Sequence, residues 1–522
     1  MYRLTQLLHV TATLLLAGRL CYAACIPEDP KHLAANQPNQ DALALLLKAQ
    51  DRCPDKALDF RNLVEVSGAQ LETTMVNFES FRDPNSGAFF VFEIVSGQPA
   101  GLNHAIDRGD LLFGHFLAPD GAHLTSNTNG LLLEAIAWDP VKQLFNFYEL
   151  VKDSKTRRAS WFFRGDSTLI LDDIQLLYRQ RTAGQQTFQG LLRCSGCHVN
   201  AGLIQKELAG PHNDWWTKSR PLPLGDLTPD ADVAKIFKGL VDPDELAKVV
   251  QATSRRLSAS PQYRKALQSR TMQEQLRPLF CAVEVNIESD KDPADALKPT
   301  VQIPAGFFAD PRLSGASVAI PRANYDQALH QHHSQMPEPP DGPGGTDADH
   351  AWLAPVKANS DITLADALVE MGVIDNEFVA DVLAVDFTNP LISAPRCGLL
   401  TLVPTEGGPD FLTRFETALK SSAQPAAKQL LDNLTDPKRD ANFHRQQVAA
   451  YLDACQTRAS KPEAANEWFG VLVQRRAEVD RAELSKHPSD QKILEVGRVV
   501  FPSASAPGGS VGLTPACEVR PQ

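Results

Sequence analysis

Residues 130–151 read GLLLEAIAWDPVKQLFNFYELV, and the fold turns on how this stretch is read. Two apolar runs, 130–138 and 144–151, flank Asp139-Pro140, a dipeptide that marks a turn. Each run is short and apolar, the second rich in aromatic side chains, so the pair reads as two strands. The same texture continues on both sides. GAFFVFEIV (87–95) and LLFGHFL (111–117) precede it and ASWFFRG (159–165) follows, with turn signals at Asp83-Pro84-Asn85 and Pro119-Asp120-Gly121. Residues 58–165 therefore read as β-rich, with a spacing that suits an antiparallel sheet. The opening stretch and residues 167–180 look more helical.

From about residue 226 the pattern is mostly helical. Asp242-Pro243-Asp244-Glu245 predicts an N-cap, a proline at the first helical position and a capping-box glutamate. Leu246, Val249, Val250, Thr253 and Leu257 then keep a 3.6-residue stripe. Ser260-Pro261 predicts a second helix start, and Thr363 with Asp366 a third. SQMPEPPDGPGGT (334–346) reads as a loop or linker. Residues 410–482 are expected to hold two or three more helices, and the tail from Pro502 reads as irregular, tied down by Cys517.

Composition bounds the class. A chain of 522 residues is too long for one ordinary core, and 43% hydrophobic with 22% charged is globular. The net charge is −12 and no long Lys/Arg run occurs, so the electrostatic footprint of a nucleic-acid binder is missing. The first 25 residues, MYRLTQLLHVTATLLLAGRLCYAAC, resemble an export signal. Arg3 supplies positive charge, Leu7 to Ala17 an apolar run too short to span a bilayer, and Cys21-Tyr22-Ala23 a loose cleavage pattern. A periplasmic or otherwise exported location is expected. A lipid anchor would use Cys25, and Tyr22 three residues before it argues against one.

The cysteines agree with export. Removal of the signal takes Cys21, and Cys194 with Cys197 form a separate pair. Cys25, Cys53, Cys281, Cys397, Cys455 and Cys517 remain, an even set that permits three disulfides, with Cys25–Cys53 the most local pairing.

Cys194-Ser195-Gly196-Cys197-His198 is C-x-x-C-H, the attachment signature of c-type haem. Thiols at i and i+3 share a helical face and reach the two vinyl groups of one porphyrin edge. The adjacent histidine then supplies the proximal axial ligand to iron. A zinc site would need a second ligand pair at metal spacing, and the other cysteines offer no C-x-x-C. A redox dithiol would need a βαβ setting. The expected site is Cys194 and Cys197 as covalent haem anchors, with His198 as the iron ligand. One motif implies one covalent haem c.

Around the motif the chain resembles the c-type cytochromes, over residues 188 to about 218. CSGCHVNAGLIQKELAGPHNDWW (194–216) also looks like a group of exported bacterial single-haem proteins, in which the motif precedes a K-E-L and a W-W-like stretch. A weaker likeness is to the cytochrome P460 family, where a β-rich domain comes first and C-x-x-C-H lies near its end. That likeness implies oxidation of small nitrogen compounds. The family's haem-linked lysine has no assigned counterpart here; Lys142 and Lys152 lie nearest.

The sixth ligand decides between carrier and enzyme. Met75, Met272, Met336, His115, His123 and His212 are the candidates. Phe188, Trp215 and Trp216 are candidate walls for the porphyrin, and HQHHSQM (330–336) a candidate adventitious metal binder. Asp172-Asp173 reads as part of a solvated helix face.

The expected architecture is α+β: a β-rich N-terminal domain ending in a c-type haem site, then a mostly α-helical region. Its parts are a signal peptide (1–24), the haem-c domain (25–220), a helical region (221–335), a linker (336–346), a helical C-terminal domain (347–501) and an irregular tail (502–522). The expected role is electron transfer or haem binding, with an unknown redox partner protein and no transmembrane segment after signal removal. The alternatives are a P460-like haem oxidoreductase or gas sensor with an open distal site, and a structural or interaction protein with a haem module.

Overall fold

The computed structural model describes residues 24–34, 37–77, 89–172, 198, 200–203, 215–218, 224–288, 298–332, 354–391, 393–438, 440–484, 499–500 and 512–520. The signal stretch, Cys194, Cys197 and the 336–346 breaker lie outside these residues.

Two helices, α1 (Ala42–Lys48) and α2 (Ala57–Val66), precede the sheet. The strands are β1 (Gln70–Asn77), β2 (Phe89–Gly97), β3 (Ile106–Asp120), β4 (His123–Ser126), β5 (Gly130–Asp139), β6 (Leu144–Lys152) and β7 (Ala159–Asp166). The main path runs β1-β2-β3-β5-β6-β7, with every neighbour antiparallel. β4 pairs β3, and the short β8 (Thr228–Pro229) pairs β4 in parallel. The five strands read from apolar runs are present, four of them close to their expected bounds, while the run 111–117 is the centre of the longer β3. One expectation is corrected at the start of the β-rich stretch, where α2 occupies 57–66. Its buried residues Ala57, Phe60, Arg61 and Val64 follow helical spacing.

Both faces of this sheet are covered, which explains apolar runs without clean alternation. Every residue from Leu144 to Leu150 in β6 is buried. On one face Val95, Phe113, Tyr148, Trp161 and Phe163 pack against α1 and α2. Met75, Val91 and Leu117 continue that face toward the helix Ala231–Lys238. On the other face Phe90, Ile94, Ile136 and Phe147 pack against Ile170, Ala201, Trp215 and the helices Asp244–Ala259 and Pro261–Gln268. Gly114 in β3 lies on this second face. A Cβ there would meet the Phe90 ring at 2.3 Å, so glycine makes the close ring approach possible.

The first face holds a buried polar network. Asp41 caps α1 and accepts hydrogen bonds from the Tyr148 hydroxyl (2.6 Å) and the Asn146 amide (2.7 Å). Lys142 donates to Asn39 at 2.7 Å and lies over the Phe163 ring at 5.3 Å. Burial pushes the Asp41 carboxyl from 3.8 up to about 6, against the hydrogen bonds from Tyr148, Ala44 and Asn146 that lower it. The native state then binds this proton more tightly than the unfolded chain. Its contribution to stability is present below about pH 4 and lost as pH rises through about 6, a change of about 3 kcal/mol. Asp41→Asn keeps a capping oxygen and removes the titration. Urea unfolding of both proteins at pH 4 and pH 7 should show the wild type losing more stability than the variant; parallel losses would sink this assignment.

The later region is helical with small sheets. The helix Asp244–Ala259 buries Leu246, Val249, Val250, Thr253 and Leu257, as the stripe predicts. Its predicted capping box does not form. The helix starts at Asp244 with Pro243 at the cap and no side-chain cap bond. Glu245 instead bonds Lys248 (2.6 Å) and Arg108 (2.9 Å), because these cations lie within its reach. Ser260 does cap the next helix, accepting from the Tyr263 amide. The predicted start at Thr363 is also corrected: the helix runs Asn359–Glu370, and the Thr363 hydroxyl bonds the Asn359 carbonyl one turn back. Residues 410–482 carry four helices rather than two or three, at Phe411–Lys420, Pro425–Thr435, Ala441–Arg458 and Pro462–Leu484.

One hydrophobic core extends from Met272 to Cys517. The strand Glu284–Glu288 lies between Ala354–Lys357 and Val499–Val500, so a sheet crosses the same span. The disulfides are Cys25–Cys53, Cys281–Cys397 and Cys455–Cys517. The first is the local pairing expected; its Cys25 sulfur leaves no thiol for a lipid. The third holds the irregular tail. Among the described residues no helix is long and apolar enough to cross a membrane.

Candidate functional site

His198 is held against the second face of the sheet. Its imidazole meets the Phe147 ring of β6 edge-on, with centroids 4.9 Å apart. Its Nδ1 lies 2.7 Å from the Gly202 carbonyl oxygen. A carbonyl only accepts, so Nδ1 carries the hydrogen and in the neutral ring the lone pair sits on Nε2. This is the tautomer in which an imidazole binds metal through Nε2, with the second nitrogen's bond fixing its orientation.

The loop that supplies Gly202 is tightly specified. Ala201 is fully buried with φ 57°, a left-handed conformation that costs a non-glycine residue about 1–2 kcal/mol. Surrounding bonds hold it there. The Ala201 amide donates to the His198 carbonyl (2.8 Å), and its own carbonyl accepts from Ser167 Oγ (2.8 Å). Ser167 Oγ also accepts from the Phe145 amide at 3.1 Å, tying the loop to β6. The Asn200 carbonyl accepts from the Tyr263 hydroxyl at 2.9 Å. Burial pushes the Tyr263 phenol well above its ordinary 10, so it remains a donor at any physiological pH.

The same face carries further aromatic and charged groups. Trp215 is buried against Phe92, centroids 5.5 Å apart, and pairs with Val76 at the β1 edge. Among the described residues its buried Nε1 meets no hydrogen-bond partner. Two residues beyond Phe147, the buried Glu149 accepts from Arg164 Nε at 2.8 Å, and the guanidinium lies over Phe162 at 4.5 Å. Trp216 turns to the other side of β1, its amide donating to the Met75 carbonyl and its ring beside the Met75–Val91–Leu117 cluster.

The candidates for a sixth ligand scatter. Met75 and His115 are fully buried on the first face, opposite His198. His115 lies 3.7 Å from Glu93, whose carboxylate accepts from Arg61 (2.7 Å) and Thr73 (2.5 Å). Met272 sits in the Met272–Cys517 core, and His123 is exposed in β4. Met336, His212 and the wall residue Phe188 lie outside the described residues. Of the two lysines nearest in the P460 comparison, Lys142 points to the first face and bonds Asn39, while Lys152 is half-buried at the far end of β6. Asp172 pairs with Arg270 on a mostly exposed carboxylate.

One observation here is compatible with a haem. The Nδ1–Gly202 carbonyl bond fixes the ring in the orientation and tautomer that a metal-binding imidazole takes. Among the described residues no group of three or more His, Cys, Asp or Glu side chains is placed to hold a metal ion. Local sequence reading missed Asn200, Ser167, Tyr263 and Asp361, for their roles come from contacts across the fold. No protein-family model, curated protein or solved structure matches the chain, so the functional reading rests on its own residues.

Proposed function

We propose that the protein is an exported mono-haem c-type cytochrome that binds one haem covalently through Cys194 and Cys197, takes His198 as axial ligand, and acts in electron transfer. The observation that carries this reading is the His198 Nδ1 bond to the Gly202 carbonyl, directly after a C-x-x-C-H motif. When bound, the haem supplies one-electron redox chemistry. The chain's part is to orient the imidazole and to bury the cofactor against the aromatic face of the sheet. Three disulfides agree with an oxidising, exported setting.

A haem oxidoreductase or gas sensor with an open sixth position, of the kind the P460 likeness implies, is the second reading. It is favoured by the placement of Met75, Met272, His115 and His123 away from His198.

A pyridine haemochrome assay on protein expressed with a haem-maturation system should find one covalent haem in the wild type and none in Cys194→Ala with Cys197→Ala. Wild-type protein without covalent haem ends both readings. Carbon monoxide binding to the ferrous protein separates them, since a carrier with Met336 or His212 as sixth ligand resists it.

A further inference from the structure

We infer that Asp361, acting through Asn200 together with Tyr263, positions the axial histidine, so that the helical C-terminal region clamps the haem loop. This rests on the reading of His198 as an iron ligand. The carboxylate of Asp361 is fully buried in the first turn of the helix Asn359–Glu370. Its Oδ1 accepts from the Asn200 side-chain amide at 3.2 Å, and its Oδ2 accepts from the Val283 backbone N–H at 2.9 Å. Val283 lies two residues past Cys281, which is disulfide-bonded to Cys397, so the carboxylate is braced beside a covalent cross-link.

Asn200 is gripped twice, at its side chain by Asp361 and at its carbonyl by Tyr263. Gly202 lies two residues further on, beyond the strained Ala201. With Asn200 fixed from the helical side and Ala201 fixed by Ser167 from the sheet side, the Gly202 carbonyl has one place to be. That place is 2.7 Å from His198 Nδ1. The bond leaves electron density on the imidazole and stabilises the more positive oxidation state of a bound iron. Loosening Asn200 weakens it, and the midpoint potential rises. Asn200, Asp361 and Tyr263 are therefore positioning residues; they touch the ligand's partner rather than the metal.

The test uses the full-length, haem-loaded chain and two mild variants, Asn200→Ala and Tyr263→Phe, with Asp361→Asn as the conservative change. Haem content, thermal stability and midpoint potential are measured on each. Unchanged haem content with a potential above wild type in Asn200→Ala and Tyr263→Phe, and a smaller rise in Asp361→Asn, supports the inference. Trp468→Ala, remote from the loop, controls for stability: it should melt earlier without moving the potential. Haem-loaded variants at the wild-type potential overturn the inference. If the wild type carries no haem, the proposed function fails. The positioning claim is then decided by the ¹⁵N shifts of His198 in the same chains. A wild-type Nδ1–H tautomer that becomes mixed in Asn200→Ala supports it, and an unchanged tautomer overturns it.

Discussion

Cys281→Ala with Cys397→Ala is expected to lower the unfolding free energy by about 4–5 kcal/mol, among the largest effects of any change in this chain. The bond joins residues 116 apart in sequence, so its loss returns a long loop's closure entropy to the unfolded state. Both half-cystines are buried in the Met272–Cys517 core, so small cavity terms add to the loss. Cys25→Ala with Cys53→Ala opens a separation of only 28 residues, and the same argument gives about 1 kcal/mol less. Guanidinium unfolding of both double variants under oxidising conditions measures the difference. Equal losses would show that loop closure is not the source of the stability. The effect extends toward the His198–Gly202 loop, because Val283, which braces Asp361, lies just past Cys281.

Trp468→Ala should cost about 3–5 kcal/mol. The ring is fully buried and packs edge-on against Phe308, with centroids 5.4 Å apart. Its Nε1 also donates to the Cys517 carbonyl at 3.2 Å, which fastens the disulfide-bonded tail to the long helix Pro462–Leu484. Alanine leaves both a cavity and a buried carbonyl without its donor. Trp468→Phe keeps most of the packing and loses the bond, so a loss nearer about 1–2 kcal/mol is expected. The two variants compared by urea unfolding separate packing from hydrogen bonding. If phenylalanine proved as damaging as alanine, the bond to Cys517 would outweigh the ring.

Much of the architecture was legible because its causes are local. The strands Phe89–Gly97, Ile106–Asp120 and Leu144–Lys152 announce themselves by the short apolar runs 87–95, 111–117 and 144–151 between turn residues, and the helix Asp244–Ala259 by its stripe. Helix starts were harder. Ser260 caps as predicted, yet Glu245 left its capping box for Arg108, a residue 137 positions earlier that no local rule sees. The buried faces of β3 also needed the structure. Alternation says that His115 and Gly114 face opposite sides, but which side meets His198 depends on where residues 200–203 return.

By itself the sequence determined the C-x-x-C-H spacing of Cys194, Cys197 and His198, the even set of remaining cysteines and the β-then-α order. These depend on spacings of a few residues, and side chains three or four apart meet whatever the rest of the chain does. Only the tertiary structure decided that Cys281 pairs with Cys397, that Met75 and His115 lie across the sheet from His198, and that Asp361 reaches Asn200 from 161 residues away. Contacts over such separations form only when many elements pack at once, because their closure entropy is offset by the whole core rather than by any one pair.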